Sequence, residues 1–72
     1  MSSFDEEYTN IAWFVQDGWI EIGQDEYSRS FIRVLDIGGL LWESKESYET
    51  VAEALAETDA AIKRLAAEHG WW

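Results

Sequence analysis

Apolar and polar positions along the 72-residue chain repeat with two different periods. From Thr50 to Gly70 the period is helical: Val51, Leu55, Thr58, Ile62, Leu65 and Ala66 recur at three-and-four spacing, with Glu53, Glu57, Arg64 and Glu68 opposite. Both ends are marked. Thr50 followed by Glu53 is a capping box, and Gly70 supplies the left-handed residue that closes a helix. Ala52, Ala56, Ala60 and Ala67 fall on its back, where alanine raises helix propensity.

Upstream the period shortens to two. Residues 11–16 and 19–22 read as strands joined by Asp17-Gly18, the dipeptide of a type I′ hairpin. That turn sets Val15 opposite Ile20 and Trp13 opposite Ile22, so these four and Ile11 share one apolar face. Ala12, Phe14, Gln16, Trp19 and Glu21 take the other. After a polar connection at residues 23–29, residues 30–37 and 40–43 read as a second pair about Gly38-Gly39. Phe31, Arg33, Leu35, Ile37, Leu40 and Trp42 then share a side. Ile32, Val34, Asp36, Leu41 and Glu43 lie opposite, and the carboxylates among them mark that side as the outer one. Residues 44–49 cross to the helix, with Tyr48 leaning back on the sheet, and Trp71-Trp72 follows.

The expected fold is α+β: a four-stranded antiparallel meander with one C-terminal amphipathic helix on one face, a ββββα two-layer sandwich. It occupies residues 10–72 as a single domain, after a flexible acidic arm at residues 1–9. One helix leaves one sheet face bare, and Phe14, Trp19, Ile32, Val34 and Leu41 line it. These five are the candidate partner-binding residues, and the simplest partner is a second copy, giving a homodimer.

Composition sharpens this picture. Five Trp, three Tyr and three Phe are a heavy aromatic load for so short a chain, which has no cysteine with which to staple itself. Either the core is unusually aromatic or part of that surface is buried against another chain. The net charge of −10, with five Lys and Arg, opposes direct binding of nucleic acid or of an anionic membrane and favours a basic protein partner. Residues 1–10 are polar and acidic, so no signal peptide is expected; no apolar run reaches the length of a membrane span, and a cytoplasmic location follows.

Catalytic chemistry is poorly provided for. His69, the single histidine, falls in the last helical turn on the core-facing stripe, where a histidine complements the helix dipole. No nucleophile elbow or phosphate-binding glycine loop is present. Neither Asp5-Glu6-Glu7 nor Asp25-Glu26 has the ligand spacing of a calcium loop. No enzyme activity, cofactor or dedicated metal is expected.

Two resemblances complete the reading. The segments IAWFVQDGWIEIG, DEYSRSFIRVLDIGGLLWE and SYETVAEAL resemble a group of short bacterial proteins of unknown function, familiar from cyanobacteria, that share the DEY, SF-strand and GG-x-x-WE elements. Asp36, Gly39, Thr50, Glu53-Ala54 and Ala61-Ile62 are similar in order to HicB-type antitoxin domains, which run strands into a capped helix. The interval from Gly39 to Thr50 is longer here, and the proline and cysteine of that family's PGC turn are missing. Such antitoxins neutralise a small RNA-cleaving toxin, so this resemblance implies an inhibitor that docks a basic protein. The leading expectation is an acidic, non-enzymatic interaction module that homodimerises. An antitoxin-like inhibitor is the alternative, and an acidic mimic of nucleic acid the third.

Overall fold

A computed structural model of the chain describes residues 3–24, 26 and 29–71. Its class is α+β, a three-stranded antiparallel sheet with helices on one face. The elements in order are α1 (Phe4–Glu7), α2 (Thr9–Phe14), β1 (Trp19–Ile22), β2 (Ile32–Asp36), β3 (Gly39–Glu43) and α3 (Val51–His69).

The ends of α3 follow the local chemistry. Thr50 accepts the Glu53 N–H at 3.1 Å, and Gly70 adopts the left-handed conformation at φ 69°. The Trp71 N–H then reaches back five residues to the Ala66 carbonyl at 2.8 Å, the closing bond of a Schellman motif. The stripe of α3 is buried at Ala54, Thr58, Ala61, Ile62 and Ala66, while the expected Val51 is 54% exposed. Small residues on this face let α3 lie close against α2. Thr58, fully buried, satisfies its hydroxyl by donating to the Ala54 carbonyl at 2.8 Å.

The expected first strand, residues 11–16, is largely helix α2, and the four-stranded meander is accordingly three strands. Two causes are visible. Ile11 and Phe14, three apart, are both buried, which only a helical turn allows, whereas Trp13 and Val15 are 38% and 44% exposed. The helix also receives a cap from elsewhere in the chain: Asp59 Oδ1, on α3, accepts the N–H groups of Asn10 at 2.9 Å and Ile11 at 3.0 Å. Asp59 Oδ2 accepts from the Asn10 side-chain amide at 2.9 Å. Packing and this borrowed cap override the strand propensity of the segment. Asp17-Gly18 consequently closes the helix instead of a hairpin, with both N–H groups donated to the Phe14 carbonyl.

β2 pairs with β1 through Trp19↔Leu35, Ile20↔Val34, Glu21↔Arg33 and Ile22↔Ile32, and with β3 through Arg33↔Glu43, Val34↔Trp42 and Leu35↔Leu40. The turn is Ile37-Gly38, one residue earlier than expected, because Asp36 Oδ1 accepts the Gly38 N–H at 2.8 Å in an Asx turn. A bulge between Val34 and Leu35 absorbs the offset. The face assignment of β2 is the reverse of that expected: Ile32 and Val34 are fully buried beneath the helices, and Arg33 and Leu35 point to the outer side, where Arg33 meets Glu21. The core joins Ile11, Phe14, Val34 and Ile62, with Tyr8, Ile20, Leu41, Trp42, Leu55 and Trp71 packed around them.

Replacing Asp59 with Ala removes three hydrogen bonds to the start of α2 and should lower stability by about 2 kcal/mol. Urea unfolding should show a lower midpoint at unchanged slope. A wild-type midpoint would mean that α2 does not depend on this cap.

Candidate functional site

The outer side of the sheet carries two cross-strand rows. One is ionic. Arg33, lying between Glu21 and Glu43, donates from Nε to Glu21 Oε1 at 3.0 Å, from Nη1 to the Ser30 carbonyl at 2.8 Å and from Nη2 to the Gly23 carbonyl at 2.8 Å. Ser30 Oγ in turn donates to Glu43 Oε1 at 3.3 Å. The guanidinium is thus held as a flat plate, with its residue only 8% exposed, and the row is a structural brace across β1 and the loops at its end.

The other row is apolar: Trp19, Leu35 and Leu40, adjacent across the three strands. Trp19 is 43% and Leu40 51% exposed, Leu35 is half-buried, and Ile37 at the adjoining turn is fully exposed. Among the described residues, α2 and α3 both pack on the opposite face, against Val34. On the inner face Ile20 and Trp42, the partners of Val34, pack against the core, while Ile22, paired with Ile32 at the end of β1, is 52% exposed.

Of the five residues expected to bind a partner, only Trp19 stands on this outer face. Phe14, Ile32 and Val34 are in the chain's own core at 6% exposure or less, and Leu41, at the bulge, packs against that core. Leu35 and Leu40 stand beside Trp19 there. The pairing of Glu21 with Arg33 was the signal that would have oriented β2, because an arginine facing a helix layer has no carboxylate to meet.

A second feature lies where α2 ends near the β2–β3 turn. Trp71 folds back beneath α3, its ring 6.1 Å from Trp13, 6.0 Å from Phe14 and 5.3 Å from His69. His69 is exposed, not core-facing as expected, and uses its ring to stack on Trp71. Beside these rings is a cleft of about 260 Å³ lined by Trp13, Phe14, Asp17, Gly18, Asp36 and Trp71. Gly18 is required for this close approach: a Cβ there would lie 2.5 Å from the Phe14 ring and 2.7 Å from the Leu35 carbonyl oxygen. Trp72, the other half of the terminal pair, and Asp25 lie outside the described residues.

Among the described residues no group of three or more His, Asp or Glu is placed to hold a metal ion, and no helix is long and apolar enough to cross a membrane. No known protein family, curated protein or solved structure matches the chain.

Gly18→Ala should cost about 1–3 kcal/mol, because neither a packed ring nor a backbone carbonyl can yield the missing space without strain. Chemical denaturation checks it, and an unchanged midpoint would show that the loop relaxes freely.

Proposed function

We propose that the protein is a small, acidic, non-enzymatic interaction module that pairs with a second copy of itself through the outer face of its sheet. The observation that carries this reading is the row of Trp19, Leu35 and Leu40, continued by the exposed Ile37, on a face that no described element covers. The distribution of aromatic rings supports it. Among the described residues Phe14 is the one fully buried aromatic side chain and Tyr8, Trp42 and Trp71 pack at the core's margin, while Phe4, Trp13 and Trp19 are exposed, so part of the aromatic load is not spent on the core. Rings that a chain of this size leaves in water are better accounted for by association. The absence of catalysis rests on composition, with one histidine and no cysteine in the whole chain.

Size sets the strength of the contact. Strands of four or five residues, spaced ~4.8 Å apart and rising ~3.4 Å per residue, present a face of only a few hundred Å². That is below the roughly 800 Å² per partner of a standard interface, so self-association belongs to the weak, concentration-dependent class.

A second reading is an inhibitor that docks a basic protein, as the HicB-type resemblance implies. What favours it is the order of elements, three strands running into a helix capped by Thr50, together with the net charge of −10. In either reading the chain acts by contact and the acidic surface selects its neighbours.

Sedimentation equilibrium of the wild type beside Trp19→Glu tests the first reading. The substitution puts a carboxylate in the apolar row without entering the core. A dimer forming at tens of micromolar in the wild type and a folded monomer in the variant are expected, roughly as the interface class requires. Monomers in both would remove the self-association reading.

A further inference from the structure

The cleft beside Trp71 combines features that neither proposed reading uses. Three of its six described lining residues are aromatic, two are carboxylates and none is cationic. We infer that this cleft receives the guanidinium group of an arginine side chain presented by a basic polypeptide segment. The inference rests on the second reading above, that the partner is a basic protein, and it names the contact.

Guanidinium fits for three reasons. Trp13 and Trp71 offer π-systems to a flat cation, with the buried Phe14 ring packed behind Trp71, and an arginine is more weakly hydrated than an ammonium, so it enters such a site at lower desolvation cost. Asp36 is held in place by the Gly38 N–H on its Oδ1, which leaves Oδ2 to accept from an incoming donor. Asp17, at the end of the helical turn that positions Phe14, supplies a second carboxylate at the same opening. Size points the same way. Sites for drug-sized ligands run from roughly 300 Å³ upwards, so a cleft of about 260 Å³ suits one side-chain head group rather than a whole cofactor. The charge of −10 over the chain would draw a basic segment in, while the aromatic walls choose which of its side chains is seated.

The test is a titration with the peptide acetyl-Lys-Gly-Arg-Gly-Lys-amide and its counterpart in which neutral citrulline replaces the arginine, followed by the indole N–H resonances of the tryptophans. Saturable shifts at Trp13 and Trp71, absent at Trp19 and absent with the citrulline peptide, are expected. Asp36→Asn keeps the Oδ1 acceptor of the turn and should weaken binding about tenfold. Asp5→Asn, on α1 and outside the cleft, lowers the charge equally and should change nothing. If the peptides bind alike, or Asp36→Asn and Asp5→Asn behave alike, the cleft is not the receptor, and the basic-partner reading stands without it. If neither peptide binds, the inference and the basic-partner reading both fall.

Discussion

The first turn of α2 has no side-chain cap of its own, and the carboxylate of Asp59 reaches across from α3 to accept the N–H groups it exposes. A six-residue helix is too short to persist by propensity, since helix nucleation is unfavourable and a single turn returns little. The borrowed cap and the burial of Ile11 and Phe14 against Ile62 are therefore one event. Once α2 is fixed, Phe14 sits over the sheet, Gly18 must pass between its ring and the Leu35 carbonyl, and β1 leaves at the angle that pairs Trp19 with Leu35. The long helix thus organises the short one, and the short one sets where the sheet begins.

Arg33 makes the corresponding decision for the sheet. Its guanidinium needs carboxylate and carbonyl partners, and it finds Glu21 together with the Ser30 and Gly23 carbonyls on the side away from the helices. An arginine turned toward the helices would have been buried among aliphatic side chains without compensation. With Arg33 outward, alternation sends Ile32 and Val34 inward and Leu35 outward, and the apolar row of Trp19, Leu35 and Leu40 results. The brace and the exposed row are thus two consequences of one strand orientation.

The aromatic residues are distributed over the core, its margins and the surface. Phe14 fills the core, Tyr8, Trp42 and Trp71 roof its margins, and Trp13 and Trp19 remain open to solvent on opposite parts of the molecule. Trp71 is brought into contact by the Schellman closure of α3, whose final hydrogen bond turns the chain back toward Phe14. A helix terminus so becomes the wall of a cleft, with Asp17 and Asp36 at its mouth.

The α+β class, the caps of α3 and the Thr58, Ile62 and Ala66 part of its inner stripe, the strand at Trp19–Ile22 and the existence of a second strand pair were legible in the sequence, because each depends on interactions within a few residues. Thr50 caps the first turn by accepting the Glu53 N–H three residues on, and Gly70 needs no partner to adopt its conformation. Some of the misplaced turn was legible too, since Asp36 two residues before Gly38 is an Asx signature. Three things were settled only by tertiary contact: the helical state of the segment around Ile11 and Phe14, the face of β2, and the meeting of Trp13, Trp71, Asp17 and Asp36. The first depends on a carboxylate 49 residues away from Asn10, the second on which strand offers Arg33 its partners, and the third on where a chain end returns. Local periodicity constrains which side chains share a face; which face meets the core is decided by polar groups that must find partners across the fold.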